Sequence, residues 1–155
     1  AREYRLDTIH YQVSEAAGHE AALSDLLMEC KRLDENESIA TTLIIFPEAY
    51  GQFEMYLDLV YLAEELISSE GYSGVYQVAS FHPEYIFDGT SQQSPENYTN
   101  RSVYPMLHLL REDSITEAVS KYKNPEQIPL RNIEFAREKG LKFMKKLREA
   151  CFGVR

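Results

Sequence analysis

The chain has 155 residues, 44% of them hydrophobic and 26% charged, and carries a net charge of −9. That is one domain's worth of chain, with enough apolar content for a single core. The acidic balance argues against general nucleic-acid binding, which depends on neutralising phosphates, and no apolar run approaches the ~20 residues of a membrane span. The two cysteines, Cys30 and Cys151, form no disulfide framework and have no metal-ligand spacing. With no signal-peptide pattern at the start, the expected location is the cytoplasm or an equivalent reducing organelle interior.

In chain order, residues Thr8–Val13 alternate, which predicts a strand with Ile9, Tyr11 and Val13 on its buried face and His10 toward solvent. Leu23, Leu26, Leu27, Cys30 and Leu33 mark one stripe of a helix over 21–33. The nearly continuous apolar run Thr41–Phe46, closed by Pro47, reads as a strand covered on both faces, as in a parallel sheet. A second helix follows, striped by Phe53, Tyr56, Leu57, Val60, Ala63, Leu66 and Ile67, and a third strand occupies Val75–Phe81. Strand–helix–strand–helix–strand order has parallel pairing as its default, so the expected fold is α/β: a single domain over 1–155 with a small, mainly parallel sheet flanked by helices.

The segment Pro105–Glu112 reads either as a strand, with Tyr104, Met106, His108 and Leu110 on one face, or as a helix, with His108, Arg111 and Glu112 together. The helix is preferred, because Leu and Met outnumber β-branched residues. A helix then restarts at Asp113-Ser114, where Ser114 and Glu117 suit a capping box. Residues 121–129 read as a loop, and a C-terminal helical segment follows, with Asn132 as a candidate cap and a stripe of Ile133, Ala136, Gly140, Leu141, Met144 and Leu147. Its other face holds Lys139, Lys142, Lys145, Lys146 and Arg148. Residues 120–155 carry +6 and the remainder −15, so residues 137–148 are a candidate docking face for a protein partner.

Between the third strand and Glu112 lies the densest set of polar and titratable groups: ASFHPEYIFDGT, NYTNRS and YPMLHLLRE. These strings, with TTLIIFP (41–47) and IPLRNI (128–133), resemble the bacterial and plastid family known as domain of unknown function 1415, over most of the chain. The resemblance implies a shared residue pattern and no reaction. Two departures stand out: Val103 occupies a position where the family pattern usually reads proline, and an N-terminal helix with an NLCPFA-like motif would precede this sequence.

Three chemistries suit these residues. His82, Asp88, His108 and Glu112 could form a two-histidine carboxylate metal site, against a plain hydrogen-bond network that fixes the loop. Arg101 and Arg111, with Asn97, Asn100 and Tyr104, suit a small phosphorylated or carboxylated molecule, against arginines that tie elements together. As catalysts, His82 and His108 are acid–base candidates, with Asp88 to orient a histidine. No phosphate-binding loop, dinucleotide fingerprint or G-x-S-x-G elbow is present, and no cofactor is implied. Two functions stay open: an enzyme or binding protein for a small anionic molecule, and a non-catalytic accessory subunit docking through its basic last helix.

Overall fold

A computed structural model describes residues 8–121 and 124–153. Over them the chain runs β1 (Ile9–Val13), α1 (His19–Glu35), β2 (Thr41–Ile45), α2 (Phe53–Ser69), β3 (Tyr76–Phe81), β4 (Met106–Arg111), α3 (Glu112–Ser120) and α4 (Ile128–Ala150). On α1 the buried side chains are Ala22, Leu26, Glu29, Cys30 and Leu33; on α2 they are Tyr56, Leu59, Ala63 and Ile67. Each set recurs every three or four residues, so each helix turns one stripe inward. Both stripes meet Ile44, Phe46, Tyr76, Leu107 and Leu109 in one core. Each fully buried leucine there contributes roughly 1.5–3 kcal/mol relative to exposure.

The sheet has the order β1-β2-β4-β3. β1 and β2 are parallel, but β4 lies antiparallel to both β2 and β3, so the sheet is mixed rather than mainly parallel. The reason is the long loop over 82–105. It leaves β3 at Phe81 and returns beside it, with Phe81 opposite Met106, without crossing the sheet. A strand that re-enters at the end where its neighbour left must run the other way.

β4 also corrects the helical preference for this segment. Hydrogen-bonded neighbours on both sides outweigh the helix propensity of leucine and methionine. Leu107 and Leu109 point into the core, and His108 and Leu110 take the opposite face. With β4 extended, His108, Arg111 and Glu112 share no helical face. The helix α3 begins at Glu112 itself, so Ser114 is inside its first turn and caps nothing.

On β1 the expected faces are reversed. His10 aligns with Thr42, whose side chain is in the core, and it meets α1. Tyr11 (49% exposed) and Val13 (59%) lie on the second face of the sheet. This face has no helix comparable to α1 and α2 among the described residues; α3 covers one end of it.

Of the expected loop over 121–129, positions 122 and 123 lie outside the described residues. Pro125–Gln127 forms a 3₁₀ turn and α4 starts at Ile128, which puts Asn132 in the helix interior. Gly140, at φ 76° and ψ 165°, interrupts α4 and shifts the helical phase of the turns beyond it. The expected stripe is therefore incomplete: Ala136 and Met144 are buried, whereas Leu147 is exposed.

Candidate functional site

The loop over 82–105 is closed at its base by a tyrosine. Tyr56 of α2 donates its hydroxyl to the Met106 carbonyl and accepts the Phe81 N–H, both at 2.8 Å, so one group pins both ends. Inside the loop Asn97, fully buried, uses both ends of its amide. Its Oδ1 accepts from the Phe87 N–H (3.0 Å) and lies 2.8 Å from the Thr90 hydroxyl, whose proton is shared with the Phe87 carbonyl (2.7 Å); its Nδ2 donates to the Ser91 carbonyl (2.8 Å). Asn100 donates to the Ser80 carbonyl at 3.0 Å, and its own carbonyl accepts the His82 N–H. Arg101 donates to the Tyr85 and Gln92 carbonyls at 3.0 and 2.9 Å, with its guanidinium 4.6 Å from the Tyr98 ring centre. From outside, α4 clamps the loop: Arg137 bonds Glu96 at 2.7 Å and Arg148 donates to the Ser102 carbonyl. The Arg137 guanidinium holds the Glu96 carboxyl below the usual carboxylate range.

His82 belongs to this scaffold. It is fully buried and packs against the rings of Phe53 and Tyr56. Its Nε2 lies 2.8 Å from the Tyr50 carbonyl, so Nε2 donates; its Nδ1 accepts the Glu84 N–H at 3.0 Å. Burial, above all, pushes its pKa down, which keeps the ring neutral. The carbonyl that it holds belongs to a strained residue, since Tyr50 has φ 58°.

The remaining expected residues are dispersed. Asp88 and Tyr104 are exposed. Arg111 donates to the carbonyls of Ile39, Leu33 and Asn36, tying the end of α1 to β4. Glu112 begins α3 and lies beside a separate hollow near Val78. His82 and His108 do not cluster as their shared motif predicts: His82 packs against α2 in the core, and His108 is on the second face of the sheet. Strand alternation is the cause, because Leu107 and Leu109 take the core face and leave position 108 the other. Among the described residues, no three His, Cys, Asp or Glu side chains converge as metal ligands.

His108 lines a surface cleft of about 510 Å³ between the second sheet face and α3. Ile9, Ala40, Leu43, Leu110, Ile115 and Ala118 make most of its wall apolar; Arg111, Ser114, Glu117 and Lys121 complete it beside Thr41 and His108. The polar geometry at its floor is directional. The Thr41 hydroxyl donates to the Leu109 carbonyl at 2.6 Å, so its oxygen is left to accept, and His108 Nε2 lies 2.7 Å away. The imidazole therefore carries its proton on Nε2. Nδ1 keeps a bare lone pair, with no hydrogen-bond partner among the described residues. Burial lowers the His108 pKa, so the ring is neutral near pH 7. Such a group accepts a hydrogen bond, or a proton, from whatever occupies the cleft. Of the pairing, Thr41 is the part that sequence reading missed; its signal was the Thr-Thr that opens an otherwise aliphatic strand.

A second polar set was also missed. Glu29, 1% exposed, lies 3.6 Å from His10 Nε2 and is held by Arg32 at 3.0 Å. His10 Nε2 and Thr42 Oγ1, on paired residues, are buried without hydrogen bonds. The signal was phase: position 29 is in register with Leu26 and Leu33 on the inward stripe of α1.

The fold and the cleft define an α/β domain with a mixed four-stranded sheet, one face closed by two helices and the other partly open. Residues 1–146 match the family model described as protein of unknown function (DUF1415), and the chain belongs to that family. No curated protein and no solved structure matches it.

Proposed function

We propose that this domain binds a small molecule in the cleft between the second sheet face and α3, with His108 as the polar anchor. The observation that carries this reading is the free Nδ1 of His108, in a concave, mostly apolar site of the size that small ligands use. The polar loop supports the site at a distance: its asparagines and Arg101 bond the backbone, and so fix where β4 begins. If the ligand carries an acidic proton, the same Nδ1 is placed to remove it, and the Thr41 hydroxyl and Leu109 carbonyl stabilise the imidazolium that forms. The anionic ligand class expected from Arg101 and Arg111 gains little support here, because the hydrogen bonds of both arginines go to carbonyls. The test is fragment screening by protein NMR. Perturbations should gather on Leu43, His108 and Ile115, and Ile115→Trp, which fills the cleft, should abolish them. Hits that map elsewhere and survive that substitution overturn the proposal.

A second reading rests on the exposed side of α4. Phe135 and Phe143 are both exposed and bracket Lys139, whose Nζ lies 5.5 and 6.0 Å from their ring centres. Cation and aromatic side by side suit docking onto an acidic protein surface.

A further inference from the structure

We infer that the cleft selects a neutral ligand which presents one O–H or N–H donor from an otherwise apolar body, and that it disfavours carboxylates. This rests on the proposed site and names its ligand class. Three observations lead to it. The hydroxyl of Thr41 is committed to the Leu109 carbonyl, which forces the Nε2–H tautomer and leaves His108, a residue of the cleft wall, with Nδ1 as its one unused polar atom, an acceptor. Two of the charged groups that line the cleft are already paired: Lys121 Nζ lies 2.7 Å from Glu117 Oε1, and the third, Arg111, donates to three carbonyls. The rest of the wall is apolar, apart from Ser114. A carboxylate entering would lose hydration and meet a lone pair, whereas a hydroxyl would meet its complement.

The test uses three matched probes, 2-naphthol, 2-methoxynaphthalene and 2-naphthoate, titrated at pH 7.5 with ¹⁵N-labelled protein. Naphthol should bind about five- to tenfold more tightly than its methyl ether, the ratio that one neutral hydrogen bond supports. Its binding should also move the His108 Nδ1 resonance. Naphthoate should bind most weakly. In His108→Phe, the ether should still bind and the preference for naphthol should vanish. Should that variant not fold, Thr41→Val frees the tautomer and should shrink the preference. Equal affinity for naphthol and ether, with both mapped to the cleft, overturns the donor rule and leaves the cleft as a site. Naphthoate binding most tightly overturns it in favour of an anion. No perturbation of Leu43, His108 or Ile115 by any probe overturns the site itself.

Discussion

The loop over 82–105 and the cleft beside α3 hold polar groups in opposite ways. In the loop they are many, and the ones that matter face inward: Asn97, Asn100, Arg101 and His82 each satisfy backbone groups. In the cleft half of the lining residues are apolar, the charged side chains are paired with each other or with carbonyls, and His108 Nδ1 has no hydrogen-bond partner among the described residues. Density of polar residues thus marks the scaffold, and the unspent lone pair marks the site. A long loop can keep one conformation only if its buried amides and carbonyls find partners, which takes many polar side chains. Binding needs only one or two groups, provided that they are unsatisfied and near an apolar wall.

Substitutions can break this contrast, and the largest effect should come from its most committed residue. Asn97→Ala strands the Phe87 N–H, takes one of two donors from the Ser91 carbonyl and leaves a cavity inside the loop. It should destabilise the fold by about 3 kcal/mol, read as a lower denaturant midpoint. His82→Leu leaves the Tyr50 carbonyl and the Glu84 N–H without partners and should cost about 2 kcal/mol on the same measurement. The buried His82 ring and the half-buried His108 ring also set an acid limit. His82 and His108 have folded pKa values below the ordinary 6.5, so the unfolded chain takes up protons first as pH falls. Their stabilising contribution is complete above pH 6.5 and is lost as pH drops toward the folded values. A chemical-denaturation series from pH 7.5 to 5 should show the decline, and His82→Leu should flatten part of it.

Smaller effects sharpen the comparison. Arg101→Lys keeps the charge but cannot reach both the Tyr85 and Gln92 carbonyls, so about 1 kcal/mol of stability should go. A stable variant with impaired ligand response would instead move Arg101 from scaffold to site. His108→Leu should change the denaturant midpoint by no more than about 0.5 kcal/mol, because Thr41 keeps its bond to Leu109. It should nevertheless remove the response to donor-bearing fragments. Reversing Lys139, Lys142, Lys145 and Lys146 should leave thermal unfolding nearly unchanged, each exposed charge contributing within about 0.5 kcal/mol. Loss of a co-purifying partner would favour the docking role of α4.

Local patterns carried much of this fold. The stripe of α1 and the apolar run of β2 lie where periodicity puts them; on α2 the stripe holds at Tyr56, Ala63 and Ile67, but Leu57, expected inside, is exposed and Leu59 takes the buried place. The position of β4 between β2 and β3 is a long-range choice, and nothing within residues 105–112 encodes it. For β1, alternation identified the strand and misassigned its faces: Tyr11 and Val13 are on the open side, and His10 meets a glutamate that α1 carries inward. The histidines were legible as chemically important residue types. Their separation onto two faces follows from strand alternation and becomes apparent only once residues 106–111 are known to be extended. Thr41 gained meaning through the Leu109 carbonyl, 68 positions away.

The central place of β4 has a consequence for how the protein is made. On the ribosome, β1, α1, β2, α2 and β3 emerge first, yet β2 and β3 never bond each other directly. Until the chain has been extended through Arg111, the inner edges of both strands remain unpaired, and each is a template for a neighbouring nascent chain. A stalled or truncated product ending before Met106 would therefore be a species prone to aggregate, and the sheet closes only when its last strand slides between two that have been waiting for it.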